Sequence, residues 1–271
     1  MNEHGACVDL GDSLGPSDVG FYSQFGEDKV LARLFAGVRR GICVEVGANN
    51  GVDGSTTLHF EEAGWDCILI EPNPILCDQI RKRRRAVLFE CAASSQTGAA
   101  RLNVAQGFYL AHAVSAIGGD DKAADIRKAH GHASQPITVQ TRTLDDIFAE
   151  SKLDRDIDFI SIDVEGHEMD ALRGLDLERW KPKILIIENN EAALGAAVRD
   201  HLSARDYRLV YKTGVNDWYA CASAGEITAR FTPTMLYASR FRSMFQVALA
   251  RIAQKSPGLV AAYRKLRGHG A

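Results

Sequence analysis

Three acids and a histidine fall within the stretch Asp163-Val164-Glu165-Gly166-His167-Glu168, directly after the apolar run Ile157–Ile162. An acid at the carboxyl end of a strand in an open parallel sheet faces the ligand crevice, so Asp163 is read as a catalytic or cofactor-contacting residue. Glu165 and His167 join it as general-base candidates, because a hydroxyl attacks poorly until a neighbouring group takes its proton. Glu165 and Glu168 also suit the first turn of a helix, where acids favour the dipole. His167 in that turn equally fits a structural or solvated role. A second acidic strand end, Glu188-Asn189-Asn190, follows the run Ile184–Ile187. Asp163, Glu188 and Asn189 would offer the hard oxygen ligands that Mg²⁺ prefers. The alternative makes Glu188 a structural acid or a direct substrate contact.

A different chemistry is written at Glu45-Val46-Gly47-Ala48-Asn49-Asn50-Gly51. Gly47 and Gly51 allow a tight turn and a close ligand approach, and the helix behind them suits an anionic group. A dinucleotide fingerprint requires Gly where Asn49 and Val52 stand, which weighs against a dehydrogenase. An acid two residues before the first Gly and a second Gly four residues after it match adenosylmethionine sites, with the acid near the cofactor's cationic end. Glu71 closes the next apolar run, Cys67–Ile70, where a carboxylate can accept from both ribose hydroxyls. Its alternative role is a helix-capping acid ahead of Pro72 and Pro74. Cys91-Ala92-Ala93 are small enough to lie against a flat adenine. The expected cofactor set is Glu45, Gly47, Ala48, Asn49, Gly51, Glu71, Pro72, Asn73, Ala92 and Asp163.

These residues need a scaffold. Short apolar runs at Ile42–Val46, Cys67–Ile70, Ala86–Phe89, Ile157–Ile162 and Ile184–Ile187 alternate with helical stretches at Ser55–Ala63, Ile75–Arg84, His167–Leu172 and Glu191–Ala204. A further helix is read over Glu27–Val38. That alternation predicts a doubly wound α/β fold, with a mostly parallel sheet covered on both faces. Tyr207–Tyr211 and Trp218–Cys221 read as an antiparallel pair. Between the halves, an insertion at about 99–141 reads as a β-hairpin with strands at Ala100–Val104 and Ile137–Thr141, plus a short helix around Asp120–His130. Such long connections are functional lids or else poorly ordered, and this one is read as a substrate-covering element. Residues 1–20 read as a loose lead-in, 21–230 as the main domain and 231–271 as a basic helical extension.

Composition narrows the classes. Hydrophobic residues at 46%, charged residues at 25% and a formal charge of −3 fit a globular protein with no nucleic-acid partner. Six cysteines without a CxxC pair fit reduced thiols and a cytoplasmic setting. There is no basic segment followed by an apolar run at the start, and no stretch approaches the ~20 apolar residues of a membrane span. From Thr232 to Ala271 there are seven Lys/Arg and no acids. Helices read around Met244–Ile252 and Leu259–Leu266 could lie peripherally on an anionic membrane, dock to a partner, or pack on the core with a solvated basic face. Nothing in the pattern specifies an oligomeric state.

Taken in order, Ser23-Gln24-Phe25-Gly26-Glu27-Asp28, Val44 through Gly51, Thr143-Leu144-Asp145-Asp146 and Ile162 through Glu168 resemble the motif series of the FkbM-type methyltransferases. Asn50 stands where that family often has Asp. The resemblance covers about residues 22–222. It implies a class I methyltransferase, Rossmann-like with a seven-stranded sheet, binding S-adenosyl-L-methionine. It also implies methyl transfer, usually to a hydroxyl of a sugar or natural product. It places Glu45, Gly47, Asn49, Gly51 and Glu71 around the cofactor, with Gln24 and Asp28 nearby. The alternatives are transfer to nitrogen or carboxylate on a small molecule, or a non-catalytic cofactor-binding scaffold.

Overall fold

The computed structural model describes residues 20–105, 116–117 and 134–254. In chain order the first elements are α1 (Glu27–Leu34), β1 (Ile42–Val46), α2 (Leu58–Glu62), β2 (Asp66–Ile70), α3 (Pro74–Arg83) and β3 (Val87–Phe89). The insertion follows with β4 (Ala92–Ala93), β5 (Gly98–Ala105), β6 (Ala116–Ile117) and β7 (Ser134–Arg142). Next come α4 (Leu144–Ser151), β8 (Phe159–Ile162), α5 (Glu168–Arg173), α6 (Leu177–Trp180), β9 (Ile184–Glu188) and α7 (Ala192–Ser203). The chain closes with β10 (Tyr207–Thr213), β11 (Asn216–Cys221), α8 (Gly225–Ala229) and α9 (Pro233–Gln254).

Seven strands form one sheet in the order β10-β11-β9-β8-β1-β2-β3, parallel except where β11 runs against β9 and β10. This is the doubly wound Rossmann-like sheet that the alternation predicts. A parallel sheet covered on both faces needs apolar strands throughout, and every residue of β1 and β9 is buried. Side chains alternate between the faces. Ile42, Val44 and Val46 enter one core with Phe148 and Leu172, while Cys43 enters the other with Leu31, Phe60, Trp65 and Trp218. Full burial of such side chains contributes about 1.5–3 kcal/mol each, so the two cores hold the strand ends in place.

The insertion is more than a hairpin. β5 and β7 pair antiparallel as expected, but β4 and β6 extend them into a second sheet, β4-β7-β5-β6, over a small core of Ala92, Leu102, Val104 and Val139. The lead-in, the helix around Asp120–His130 and the second C-terminal helix lie outside the described residues.

Local chemistry moves two boundaries. The helix expected from Ser55 starts at Leu58, because Ser55 and Thr57 turn their hydroxyls onto Glu45 instead. α9 begins at Pro233, well before the expected start, because its inner side docks on the edge strand. Lys212 N donates to Ser239 Oγ at 3.1 Å, and Gly214 N donates to Gln246 Oε1 at 2.9 Å. These bonds occupy amides that an exposed sheet edge would leave open. No described helix is long and apolar enough to cross a membrane. The described cysteines are free, with Cys43 and Cys67 side by side on β1 and β2, Sγ to Sγ 3.0 Å.

Candidate active site

Strand order reverses at β1, which pairs with β2 on one side and β8 on the other. Ligands of open α/β sheets bind at such a point. Val46 sits opposite both Ile70 and Ile162, and Ile162 opposite Ile187. The next residues, Glu71, Gly47, Asp163 and Glu188, therefore line one carboxyl edge on strands about 4.8 Å apart. Backbone bonds hold the row: Gly47 N to Ile70 O at 2.9 Å and Asp163 N to Val46 O at 3.0 Å.

Gly47 has φ +84°, and a Cβ there would stand 1.8 Å from Asp163 O. Asn49 is also left-handed, with φ +50°. That turn points Asn49 N at Glu71 Oε2 (3.0 Å), while Asn73 N reaches Glu71 Oε1 (2.9 Å). Burial pushes the Glu71 carboxyl up to about 7, against the downward pull of these two bonds. Each oxygen retains a second lone pair for a ligand hydroxyl. Asn73 caps α3 through Oδ1, and its buried Nδ2 has no partner among the described residues. Asn73, expected as a cofactor contact, is 1% exposed and does not line the cleft.

Gly47, Asn49, Glu71, Pro72, Ala92, Ala93, Asp163 and Glu165 line a cleft of about 660 Å³, its open mouth included. Ile70, Leu76, Cys91 and Leu102 supply an apolar floor. Leu76 and Leu102 were not expected. Leu102 could have been suspected from the apolar alternation of Leu102 and Val104 in the insertion strand.

Other expected contacts build the cleft from outside it. Glu45 shares the sheet face of Cys43, so it points beneath the loop rather than into the cleft. Its carboxylate accepts from Ser55 Oγ (2.7 Å), Thr56 N (2.7 Å) and Thr57 Oγ1. Arg84, with its side chain fully buried, stands 3.9 Å from Glu45, pairs with Glu61 at 2.9 Å and donates to Gly51 O at 2.6 Å. Ala48 is buried behind the turn, and Gly51 passes over Ile80 and Arg84. Gln24 is exposed, and neither it nor Asp28 lines the cleft. Asp28 instead accepts from the amides of Tyr22 and Ser23, while Glu27 accepts from Thr213 Oγ1 and Asn216 Nδ2. That N-terminal motif is a clasp onto the β10–β11 hairpin.

At the far end of the row, carboxylate oxygens of Asp163, Glu165 and Glu188 lie within 4.8 Å of one another. Glu165 (φ +54°) and Gly166 (φ +99°) bend the chain sharply after β8. Glu168 Oε1 stabilises the bend by accepting from Val164 N and Gly166 N. Asp163 is exposed at the cleft while Glu188 is buried, and crowding by Glu188 and its acidic neighbours raises the Asp163 carboxyl above the usual carboxylate range. The neighbouring Asp163 likewise raises Glu165, which is not buried, and burial together with Glu165 raises Glu188 to about 7.

Two expected members are elsewhere. Asn189 Nδ2 donates to Asp217 Oδ2 at 2.7 Å, and its amide fills the space left by Gly195, so Glu165 stands in the third place beside Asp163 and Glu188. His167 Nε2 lies 3.1 Å from Ser94 Oγ, with Nδ1 3.5 Å from Asp170 Oδ2. Its ring braces α5 and does not line the cleft.

Residues 45–209 match the methyltransferase FkbM domain model, which is more than half of the 271-residue chain. No curated protein sequence matches the chain. Similar solved structures include a candidate RNA methyltransferase from Pyrococcus horikoshii, at 8% identity and TM-score 0.37, covering 72% of this chain and 83% of that one. Another is the precorrin-6y C5,15-methyltransferase of Geobacter metallireducens GS-15, at 12% identity and TM-score 0.36, covering 70% and 85%. A third is the C-terminal domain of the Rhodobacter capsulatus precorrin-6Y C5,15-methyltransferase, at 12% identity and TM-score 0.35, covering 71% and 84%.

Proposed function

This chain belongs to the FkbM methyltransferase family and is an adenosylmethionine-dependent methyltransferase; we propose that its acceptor is a hydroxyl of a sugar, glycan or glycosylated natural product. Adenosylmethionine supplies a methyl group already activated on a sulfonium. The protein's tasks are then alignment and removal of the acceptor proton. Gly47 and Asn49 would hold the cofactor's backbone-facing side, Glu71 its ribose hydroxyls, and Ala92, Ala93 and Leu102 its ring. Asp163 and Glu165 border the same cleft.

The observation that carries the hydroxyl reading is the Asp163–Glu165–Glu188 cluster beside the cofactor cleft. An amine needs little activation, whereas a hydroxyl needs a strong acceptor for its proton. Glu165, whose carboxyl is raised by the neighbouring Asp163, takes a proton more readily than an ordinary carboxylate. A second reading rests on the same cluster: three hard oxygen donors would suit Mg²⁺, which lowers the pKa of a coordinated hydroxyl. It keeps Asp163 and Glu188 from the sequence expectation and exchanges Asn189 for Glu165.

The test is incubation with methyl-labelled adenosylmethionine and a panel of sugars, glycolipid extracts and amines. Alkali-stable label on a sugar oxygen is the expected product. Label released by mild alkali, or found on nitrogen, would replace the hydroxyl with a carboxylate or amine acceptor. Tight cofactor binding with no transfer to any pool would point to the scaffold alternative.

A further inference from the structure

One side of α9 is unexplained by anything in the methyltransferase domain. Its inner side is accounted for, since Ser239, Ser243 and Gln246 face β10 and its turn. Tyr237, Phe241, Met244 and Phe245 recur at i, i+4, i+7 and i+8, which puts them on one stripe of a helix. They are 79%, 61%, 69% and 58% exposed. Four large apolar side chains in one row, three of them aromatic, form a continuous outer patch of the kind that marks an interaction surface. Exposed Arg240 borders the stripe one helical step away from Tyr237 and Met244.

The charge of the segment selects the occupant. From Thr232 to the end of the chain there are seven Lys/Arg and not one Asp or Glu, in a protein whose formal charge is −3. An interface with a second copy would bring two such basic segments together. An anionic lipid surface instead offers apolar depth for the aromatic stripe and negative charge for its border. Aromatic rings favour the headgroup level, and Arg side chains extend from it toward lipid phosphates. Because α9 is not long and apolar enough to cross a bilayer, the fitting geometry lies flat on it.

We propose that the Tyr237–Phe241–Met244–Phe245 stripe of α9 seats this methyltransferase on an anionic lipid bilayer. The docked helix then brings the domain to the surface where a lipid-linked acceptor would be presented. The inference concerns the outer helix face alone and does not depend on which atom receives the methyl group.

Co-sedimentation of the full-length protein with phosphatidylglycerol-rich vesicles, against phosphatidylcholine vesicles, tests it. Partitioning should be about tenfold or more stronger on the anionic vesicles and should weaken at high salt. F241E/F245E should reduce it about tenfold or more, with cofactor binding unchanged as the check that the domain is folded. R240Q, which leaves the apolar stripe intact, should give a smaller loss that salt already mimics. Equal partitioning to both vesicle types, or anionic binding untouched by F241E/F245E, would overturn the proposal. So would a self-association in sedimentation equilibrium that F241E/F245E abolishes, since the stripe would then be covered by a second copy.

Discussion

Asp163 O occupies the space where a Cβ on Gly47 would project, 1.8 Å away. Two loops separated by more than a hundred residues thus touch through backbone alone, and the cleft begins at that contact. G47A should therefore destabilise the fold by about 3 kcal/mol or more, from a positive-φ penalty and a direct clash. Denaturant unfolding measures the loss, and calorimetry of any folded fraction should find no cofactor binding. Near-wild-type stability would mean that the loops can part cheaply.

Glu71 connects pH to both stability and binding. Its carboxyl is raised from 4.5 to about 7, so the folded protein holds that proton more tightly than the unfolded chain does. This contribution to stability is present below about 4.5 and is lost as pH rises through about 7. Cofactor affinity should move oppositely, rising through the same range as the carboxylate becomes able to accept from two ribose hydroxyls. E71Q should flatten both profiles and weaken binding about tenfold or more, because its amide nitrogen would face the N–H of either Asn49 or Asn73 and leave that donor unpaired. Titration calorimetry at several pH values reads this directly.

Arg84 ties together Glu45, Glu61 and the carbonyl of Gly51 while fully buried. R84M would leave two buried carboxylates without their cation, at an expected cost of about 3–5 kcal/mol. Urea unfolding tests the stability. A shift below about 1 kcal/mol would show that Ser55 and Thr57 hold Glu45 unaided.

E165Q should lower kcat about 10²–10⁴-fold with adenosylmethionine affinity largely retained, if Glu165 takes the acceptor proton. Chelation with EDTA separates the two readings of the cluster. Loss of activity restored by Mg²⁺ supports the cation, and indifference to EDTA supports the carboxylate base. Unchanged kcat in E165Q would remove Glu165 from the chemistry.

H167A should leave kcat within about threefold and cost about 1 kcal/mol of stability, from the lost contacts to Ser94 and Asp170. Single-turnover rates with labelled cofactor decide it. A loss of a hundredfold would return His167 to the reaction.

Which residues stand at strand ends was readable from the chain, because hydrophobic runs of strand length terminate at Gly47, Glu71, Asp163 and Glu188. Position along an edge does not specify direction. Glu45 looked like a cofactor contact because of its spacing to Gly47. The two-residue alternation of β1 assigns it to the face of Cys43, where Ser55, Thr56 and Thr57 claim its oxygens. Asp28 and Glu27 keep a motif's order while doing local work, since a hydrogen-bonded clasp leaves no periodic signature.

The sequence by itself determined the doubly wound sheet, the carboxyl edge that lines the cleft, and the acids at Glu71, Asp163 and Glu188. Period and residue type are local properties, legible without folding the chain. Only the tertiary structure decided which acids meet. Strand order set Asp163 between Gly47 and Glu188, the left-handed bend at Glu165 and Gly166 turned Glu165 toward them, and Asp217 drew Asn189 away. Those outcomes depend on contacts between distant segments and on single backbone torsions, and neither leaves a pattern in the linear chain.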